Sequence, residues 1–504
     1  MRQSVRCSGA ISSGANMEFS WLENFVQSKR TVWIAGAVTI LLFIIANLPW
    51  QLDDYDQAKQ AFTSFEMVKE GHWFYQHTPH EHVATKPPLI GWISAGLFAL
   101  TRSWDIAWRL PSFLAAIAMA LLLFWNAGSA HRTIAGVIAL SAFGLNLLSL
   151  RLATLVRTDM PLALVIFLIG LLISRKIQKE EAWRARDQFL IFALLTAAMF
   201  IKGPIVYAFL LPAIGMFHWG GRRYSLSAWC GWWPWVASLG IFLLWVIGGV
   251  LFQPEFFDEV IVREFAARFG ETIHRPQPLY FYMPHLLHKF APWSVLMIAI
   301  AILDLHSRNW RLRSAFRKMS PETFWLLCWP LGGLLVMSLI PSKRVDRIFP
   351  IIPPLCLLLG AQIANGPVGE HLRKHVHRWS AIALIFSILA TGGYTISKVI
   401  SGYRHHRDAL AVFGCEVRHE AELRHWRYEV VSAKDEALLL YLRKIHFIDP
   451  DRAVAEWNSG NLDALVVSTQ KAPALMSQFR DTGLSRLKSY KGKDEPTGYV
   501  LITR

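Results

Sequence analysis

Residues 53–89 read DDYDQAKQAFTSFEMVKEGHWFYQHTPHEHVATKPPL. Asp53, Asp54 and Asp56 crowd into four positions, Lys59 follows, and Lys86 stands directly before Pro87 and Pro88. A carboxylate among cations at a membrane surface suits general-base catalysis or electrostatic stabilisation of an acceptor, and each charge perturbs the pKa of the other. The same acids serve equally well as a solvated cap on a loop, and Lys86 as a lysine snorkelling to the interface. Further cations lie beside apolar runs: Lys202 in FIKGPIVY, and Lys343, Arg344 and Arg347 in PSKRVDRIFP. Arg157 and Asp159 read first as a local ion pair, and second as site residues, since an ionisable group at the edge of a helix bundle is a functional candidate. Several cations around one acidic stretch suit an anionic ligand carrying phosphates. The sequence has no P-loop and no GxGxxG, so nothing supports ATP or NAD chemistry. Its five cysteines have neither metal-ligand spacing nor a disulfide framework.

The elements that must position these residues are membrane helices. Of 504 residues, 53% are hydrophobic and only 17% charged, too few charges for a soluble surface at this length. Apolar runs of about 17 to 25 residues recur along the chain. The net charge of +16 fits the positive-inside bias. Nucleic acid is not an expected partner, because the basic residues lie between apolar runs and form no basic domain.

The connectors at Lys29–Arg30, Arg175–Arg186, Arg222–Arg223, Arg308–Lys318 and Arg373–Arg378 are expected on the cytoplasmic side. The loops 51–87 and 253–290 and the turns at 157–159, 202–204 and 341–347 then face outward. Lys343, Arg344 and Arg347 run against the bias there, which makes them the more informative cations. For Asp56 and Asp159 to share a side, an even number of crossings must separate them. The apolar runs 88–103, 112–128 and 133–157 are three, so the last is expected to break near Asn146. The expected fold is an α-helical polytopic membrane protein of about thirteen crossings. A cytoplasmic tail occupies residues 1–30, the membrane domain 31–400, and a small extracytoplasmic α/β domain 401–504. Residues 1–16 read as a polar tail or as sequence ahead of a start at Met17. In the last domain, strands are expected at Glu429–Ser432, Ile445–Ile448, Ala464–Ser468 and Tyr499–Thr503, and helices at 434–443, 451–458 and 472–480.

DQAKQAFTSFEMVKEGHW followed by TKPPLIGW resembles the first outer loop of the polyprenyl-phosphate-sugar-dependent glycosyltransferases of the GT-C fold, in particular the lipid A aminoarabinose transferases and protein O-mannosyltransferase-like proteins. Their usual form is Asp-Glu, a basic residue two positions on, Glu-Met, Gly-Asp-Trp, then Glu-Lys-Pro-Pro-Leu. Anchored on Glu66-Met67, their Asp falls on Asp56, their basic residue on Lys59 and their Lys-Pro-Pro on Lys86, Pro87 and Pro88. RLPSF at 109–113, RTDMPLAL at 157–164, KGP at 202–204, RFGETIHRPQPLYFYM at 268–283 and PSKRVDRIFPIIPP at 341–354 continue the resemblance.

The resemblance implies that a sugar moves, with inversion, from an undecaprenyl-phosphate-type carrier to an acceptor (lipid A, a protein or a glycan) at the outer face of a bacterial inner membrane. It assigns Asp56 as the catalytic carboxylate, with Asp159 lining the same cavity. Lys59, Lys86, Lys343 and Arg347 are implied to bind the carrier phosphate, with Lys202 and Arg268 as further cations and Asp53, Asp54 and Tyr282 as other candidates. Three departures stand out: Gln57 replaces the second acid, Thr85 replaces the acid before Lys-Pro-Pro, and Val345 and Arg347 replace a proline and a tyrosine. No cofactor is implied, and Thr85 does not support a divalent metal at the position of the missing acid. The competing readings are a transporter or flippase of an anionic lipid, and an inactive scaffold on the same fold.

Overall fold

The structure, a computed structural model, describes residues 28–52, 55–80, 82–220, 227–266, 276–307, 309–310, 319–365, 370–433, 435–480, 485–490 and 498–504. Among these, six helices are long and apolar enough to cross a membrane: Trp104–His131, Asp159–Lys179, Trp233–Phe252, Pro321–Leu339, Val345–Ala364 and Leu372–Arg404. The pair Leu279–Lys289 and Trp293–Ser307, bent by 101°, makes a seventh if it forms one span. The chain is an integral membrane protein.

About thirteen full crossings are not established, and length is the reason. Leu89–Thr101, Thr133–Gly144 and Ile205–Gly220 are shorter apolar helices; at 12 residues, Thr133–Gly144 extends about 18 Å, against a hydrocarbon core of about 30 Å. The expected break at Asn146 is present. Its side chain accepts from the N–H groups of Leu148 and Ser149 and donates to the carbonyls of Ala142 and Phe143. One amide thereby ends Thr133–Gly144 and caps Leu147–Leu152. Small residues let the helices close up: a Cβ on Gly332 would lie 2.5 Å from the Ala213 backbone nitrogen.

The stretch expected as an outer loop is largely a helix, Tyr55–Glu70. Ala58, Ala61, Phe62 and Phe65 recur at helical spacing and are buried. They share one buried cluster with Trp104, Trp108 and Leu438 to Leu442. Gly71, at φ +80°, ends the helix and donates its N–H to the Met67 carbonyl. From there the chain runs back to Pro88, with an isolated bridge between His77 and Val83.

The C-terminal domain is the expected α/β unit, with a four-stranded sheet ordered β1-β2-β4-β3. Its strands are β1 (Tyr428–Val430), β2 (Ala464–Ser468), β3 (Ser485–Tyr490) and β4 (Tyr499–Thr503). β1 and β2 are parallel, and the other pairings are antiparallel. The expected strand Ile445–Ile448 contributes one bridge, Val431 to Ile448. Asp449 and Pro450 follow at once and start the helix Pro450–Asn458; Pro450 has no N–H to extend a ladder. β3 and the helix Ala409–Leu423 were not among the expected elements. The helix Glu436–Leu442, buried at all seven positions, lies against Tyr55–Glu70 and so couples this domain to the membrane region.

Candidate functional site

Asp56 lies in the first turn of Tyr55–Glu70, where the helix dipole favours a carboxylate. Its Oδ2 accepts from the Arg344 guanidinium at 2.7 Å and lies 3.6 Å from Arg157. Burial would raise the Asp56 pKa, but Lys86, Arg344 and Arg157 outweigh it and hold the carboxyl at about 2. The Lys86 ammonium is pushed down to about 8, mainly by burial and against the pull of Asp56.

A second acid–base pair forms where two helices meet. Asp159 is the first residue of Asp159–Lys179, and Lys202 is the last residue of Ala185–Lys202. Each sits at the helix end whose dipole favours its charge, and they are 2.5 Å apart. Gly203, at φ +73°, stops the second helix directly after Lys202. Arg157 therefore does not pair locally with Asp159. It turns to Asp346, at 2.8 Å, and to Asp56.

These groups line one cavity of about 530 Å³, walled by Asp56, Lys59, Thr85, Lys86, Arg157, Asp159, Lys202, Arg263, Arg344, Asp346, Arg347, Glu259 and Glu436 among others. Among the described residues it carries seven lysines and arginines against five carboxylates, a formal excess of two positive charges. Asp56, Asp159, Lys59, Lys86, Lys202 and Arg347 thus come together from four separate stretches of chain. Lys343 does not line the cavity: its ammonium donates to the Gln277 carbonyl at 2.8 Å, and Arg344 faces Asp56 instead. Arg347 is braced by donating to Ser342 through both the carbonyl and the hydroxyl. Tyr282 is fully buried against Phe281 and lies outside the cavity wall. Asp53, Asp54 and Arg268 fall outside the described residues.

Two departures from the family pattern acquire a local meaning. Gln57 is buried, and its Oε1 accepts from the Val156 N–H at 3.2 Å, so the amide braces the backbone just before Arg157. Thr85 lines the cavity without a carboxylate, and both Asp56 and Asp159 are already paired to cations.

The sequence reading missed Glu436, the first residue of Glu436–Leu442. Burial pushes its carboxyl up to about 7, with Lys59 pulling the other way. Burial likewise lowers Lys59, which Glu436 and Glu259 oppose. No motif marks Glu436; the only sequence signal is an acid opening an otherwise apolar helix.

Residues 85–249 match the family described as dolichyl-phosphate-mannose-protein mannosyltransferase. Curated relatives include an undecaprenyl phosphate-alpha-4-amino-4-deoxy-L-arabinose arabinosyl transferase of Edwardsiella ictaluri, 26% identical over 82% of this chain and 77% of its own length. The protein of the same description from Aeromonas hydrophila is 27% identical over 76% and 69%. Among solved structures, ArnT from Cupriavidus metallidurans bound to undecaprenyl phosphate superposes with a TM-score of 0.65 at 18% identity, covering 94% of this chain and 97% of that one. The archaeal oligosaccharyltransferase AglB from Archaeoglobus fulgidus gives 0.50 at 13% identity, covering 95% and 74%. The chain has the architecture these proteins share.

Proposed function

We propose that this chain, which belongs by fold and sequence resemblance with the polyprenyl-phosphate-sugar-dependent glycosyltransferases of the GT-C fold, moves a sugar from an undecaprenyl-phosphate-type carrier to an envelope acceptor. The acceptor is a lipid A phosphate, a protein hydroxyl or another glycan, and the cavity opens on the outer side of a bacterial inner membrane. The observation that carries this reading is the Asp56 cavity, where one carboxylate is held ionised beside Lys86 and Arg344.

The chemistry follows from that charge arrangement. An acceptor oxygen attacks the anomeric carbon, the bond from that carbon to the carrier phosphate breaks, and the polyprenyl phosphate leaves with added negative charge. Lys86, Arg344 and Arg347 are placed to neutralise that charge, and fixed cations in a half-buried site need no reorganisation to do so. With a pKa of about 2, Asp56 is a weak base while it holds these cations alone. A carrier phosphate that shares them raises its basicity, so Asp56 takes the proton of a hydroxyl acceptor only once donor is bound. A phosphate acceptor needs no base, and there Asp56 orients the cations.

The test is transfer by the purified protein in lipid vesicles, with labelled undecaprenyl-phosphate sugars as donors and envelope extract as acceptor, beside Asp56→Asn. Label transfer that depends on Asp56 supports the reading and identifies sugar and acceptor class. Absence of transfer from every donor, with carrier lipid still bound, overturns it in favour of transport or a scaffold.

A further inference from the structure

At the other end of Tyr55–Glu70, away from the cavity wall, Glu66 faces two imidazoles. Its Oε1 lies 2.7 Å from His72 Nδ1 and 3.2 Å from His77 Nδ1, and the two rings are 4.9 Å apart at 71°. The three ligand atoms lie within 4.8 Å of one another. Glu66 is 1% exposed, and its ion-pair partners among the described residues are these two histidines. The His77 backbone N–H donates to both Glu66 oxygens at 3.1 Å, but a buried carboxylate still gains from a compensating positive charge, which neutral imidazoles do not supply.

The hydrogen-bond pattern accommodates such a charge. His77 Nε2 lies 3.3 Å from Gln253 Oε1; in the tautomer that donates to this oxygen, the ring carries its proton on Nε2. In a neutral ring the Nδ1 lone pair then points at a carboxylate that is itself only an acceptor. In that tautomer the two acceptors, 3.2 Å apart, need a positive centre between them, either a proton or a metal ion. The Gln253 contact is the kind of outer partner that fixes a ligating histidine.

We propose that Glu66, His72 and His77 form a divalent-metal site of the class that takes Zn²⁺. Two imidazoles and one carboxylate are a borderline-soft donor set that suits this ion. Ligand atoms around tetrahedral zinc sit about 3.3 Å apart. His77 already meets that spacing, and His72, 46% exposed, has room to retreat by the roughly half ångström it needs. Among the described residues a further carboxylate, Glu70, lies 3.7 Å from His72 Nδ1 and is itself bonded to His446 of the C-terminal domain at 2.6 Å.

Bound metal would clasp the end of the helix to the segment His77–Val83, whose Thr78, His80 and His82 line the cavity. The site is separate from Thr85. It also does not depend on the transfer reaction, because binding is measured directly.

The test uses the full-length protein in nanodiscs, stripped with a chelator and titrated with Zn²⁺ against a chromophoric competitor. One Zn²⁺ per chain is expected, weakened at least tenfold by His72→Gln or His77→Gln. His82→Gln, which alters an exposed histidine beside Glu255, should leave binding unchanged. X-ray absorption on the wild-type protein needs no variant and should show two imidazole nitrogens at about 2.0 Å with oxygen completing the shell. Stoichiometry well below one, affinity unmoved by both histidine substitutions, or a shell without imidazole overturns the proposal and leaves a protonated histidine pair as the counter-charge.

Discussion

The helix Tyr55–Glu70 carries a carboxylate near each end, and the chain neutralises them differently. Asp56 is half-buried among Lys86, Arg344 and Arg157, cations drawn from distant parts of the sequence. Glu66 is buried among His72 and His77, close neighbours whose charge depends on a proton or a metal. Hydrogen bonding to Glu66 raises the His77 pKa, as expected where a positive centre is required. On the proposed reading, the first arrangement presents two guanidiniums, which stay charged, and Lys86 to an anionic ligand. The second is local, closes on itself, and braces the segment that leads to Lys86. On the proposed reading, one helix therefore separates a reacting end from a positioning end.

The largest expected effect breaks the first arrangement. Asp56→Asn should lower transfer by about 10²- to 10⁴-fold, far beyond any loss of folded protein, checked by kinetics and thermal unfolding of the same preparation. Next, Lys86→Ala should weaken carrier-lipid binding by about 10- to 100-fold, the worth of one charge-assisted hydrogen bond. With a pKa of about 8, Lys86 is charged below that pH and neutral above it, so kcat/KM should fall as pH rises through 8. Lys86→Arg should remove that limb, because the guanidinium stays charged; a limb that persists in Lys86→Arg assigns it elsewhere.

Glu66→Gln acts on the second arrangement. It should lower stability by about 1 to 3 kcal/mol, read as a drop in melting temperature. A loss of transfer as large as that of Asp56→Asn would collapse the distinction between the two ends.

The smallest effect concerns Glu436. Its pKa, raised to about 7, gives a stabilising contribution that is complete below the unfolded value and disappears as pH rises through 7. Melting temperature followed between pH 5 and 8 should fall less in Glu436→Gln than in the wild type, and identical profiles would remove Glu436 as a titrating member of the cavity.

Some of this was legible in the residues, for reasons that are themselves physical. Length and hydropathy announce a membrane protein because a bilayer demands long apolar runs. Asn146 inside an apolar run signals a break because a buried amide must bond to something, and here it bonds to the backbone it interrupts. Asp159 and Lys202 are visible as charges at the ends of apolar segments. The helix Tyr55–Glu70 was harder to see. Its apolar face is two alanines and two phenylalanines between charged residues, and it is stable because Trp104, Trp108 and Leu438 to Leu442 cover that face.

What the sequence determined by itself was the class of molecule and the order in which charged motifs arrive at helix ends. Composition and periodicity carry that information, and both are local. Only the tertiary structure decided which charge meets which. Arg344, and not the adjacent Lys343, faces Asp56, because the direction of each side chain depends on how the short turn Val345–Ile351 packs. Glu436 reaches the cavity from a different domain, and Arg157 passes over its near neighbour Asp159 for Asp346. Electrostatic partnership depends on distance and burial in space, and sequence separation sets neither until the helices have packed.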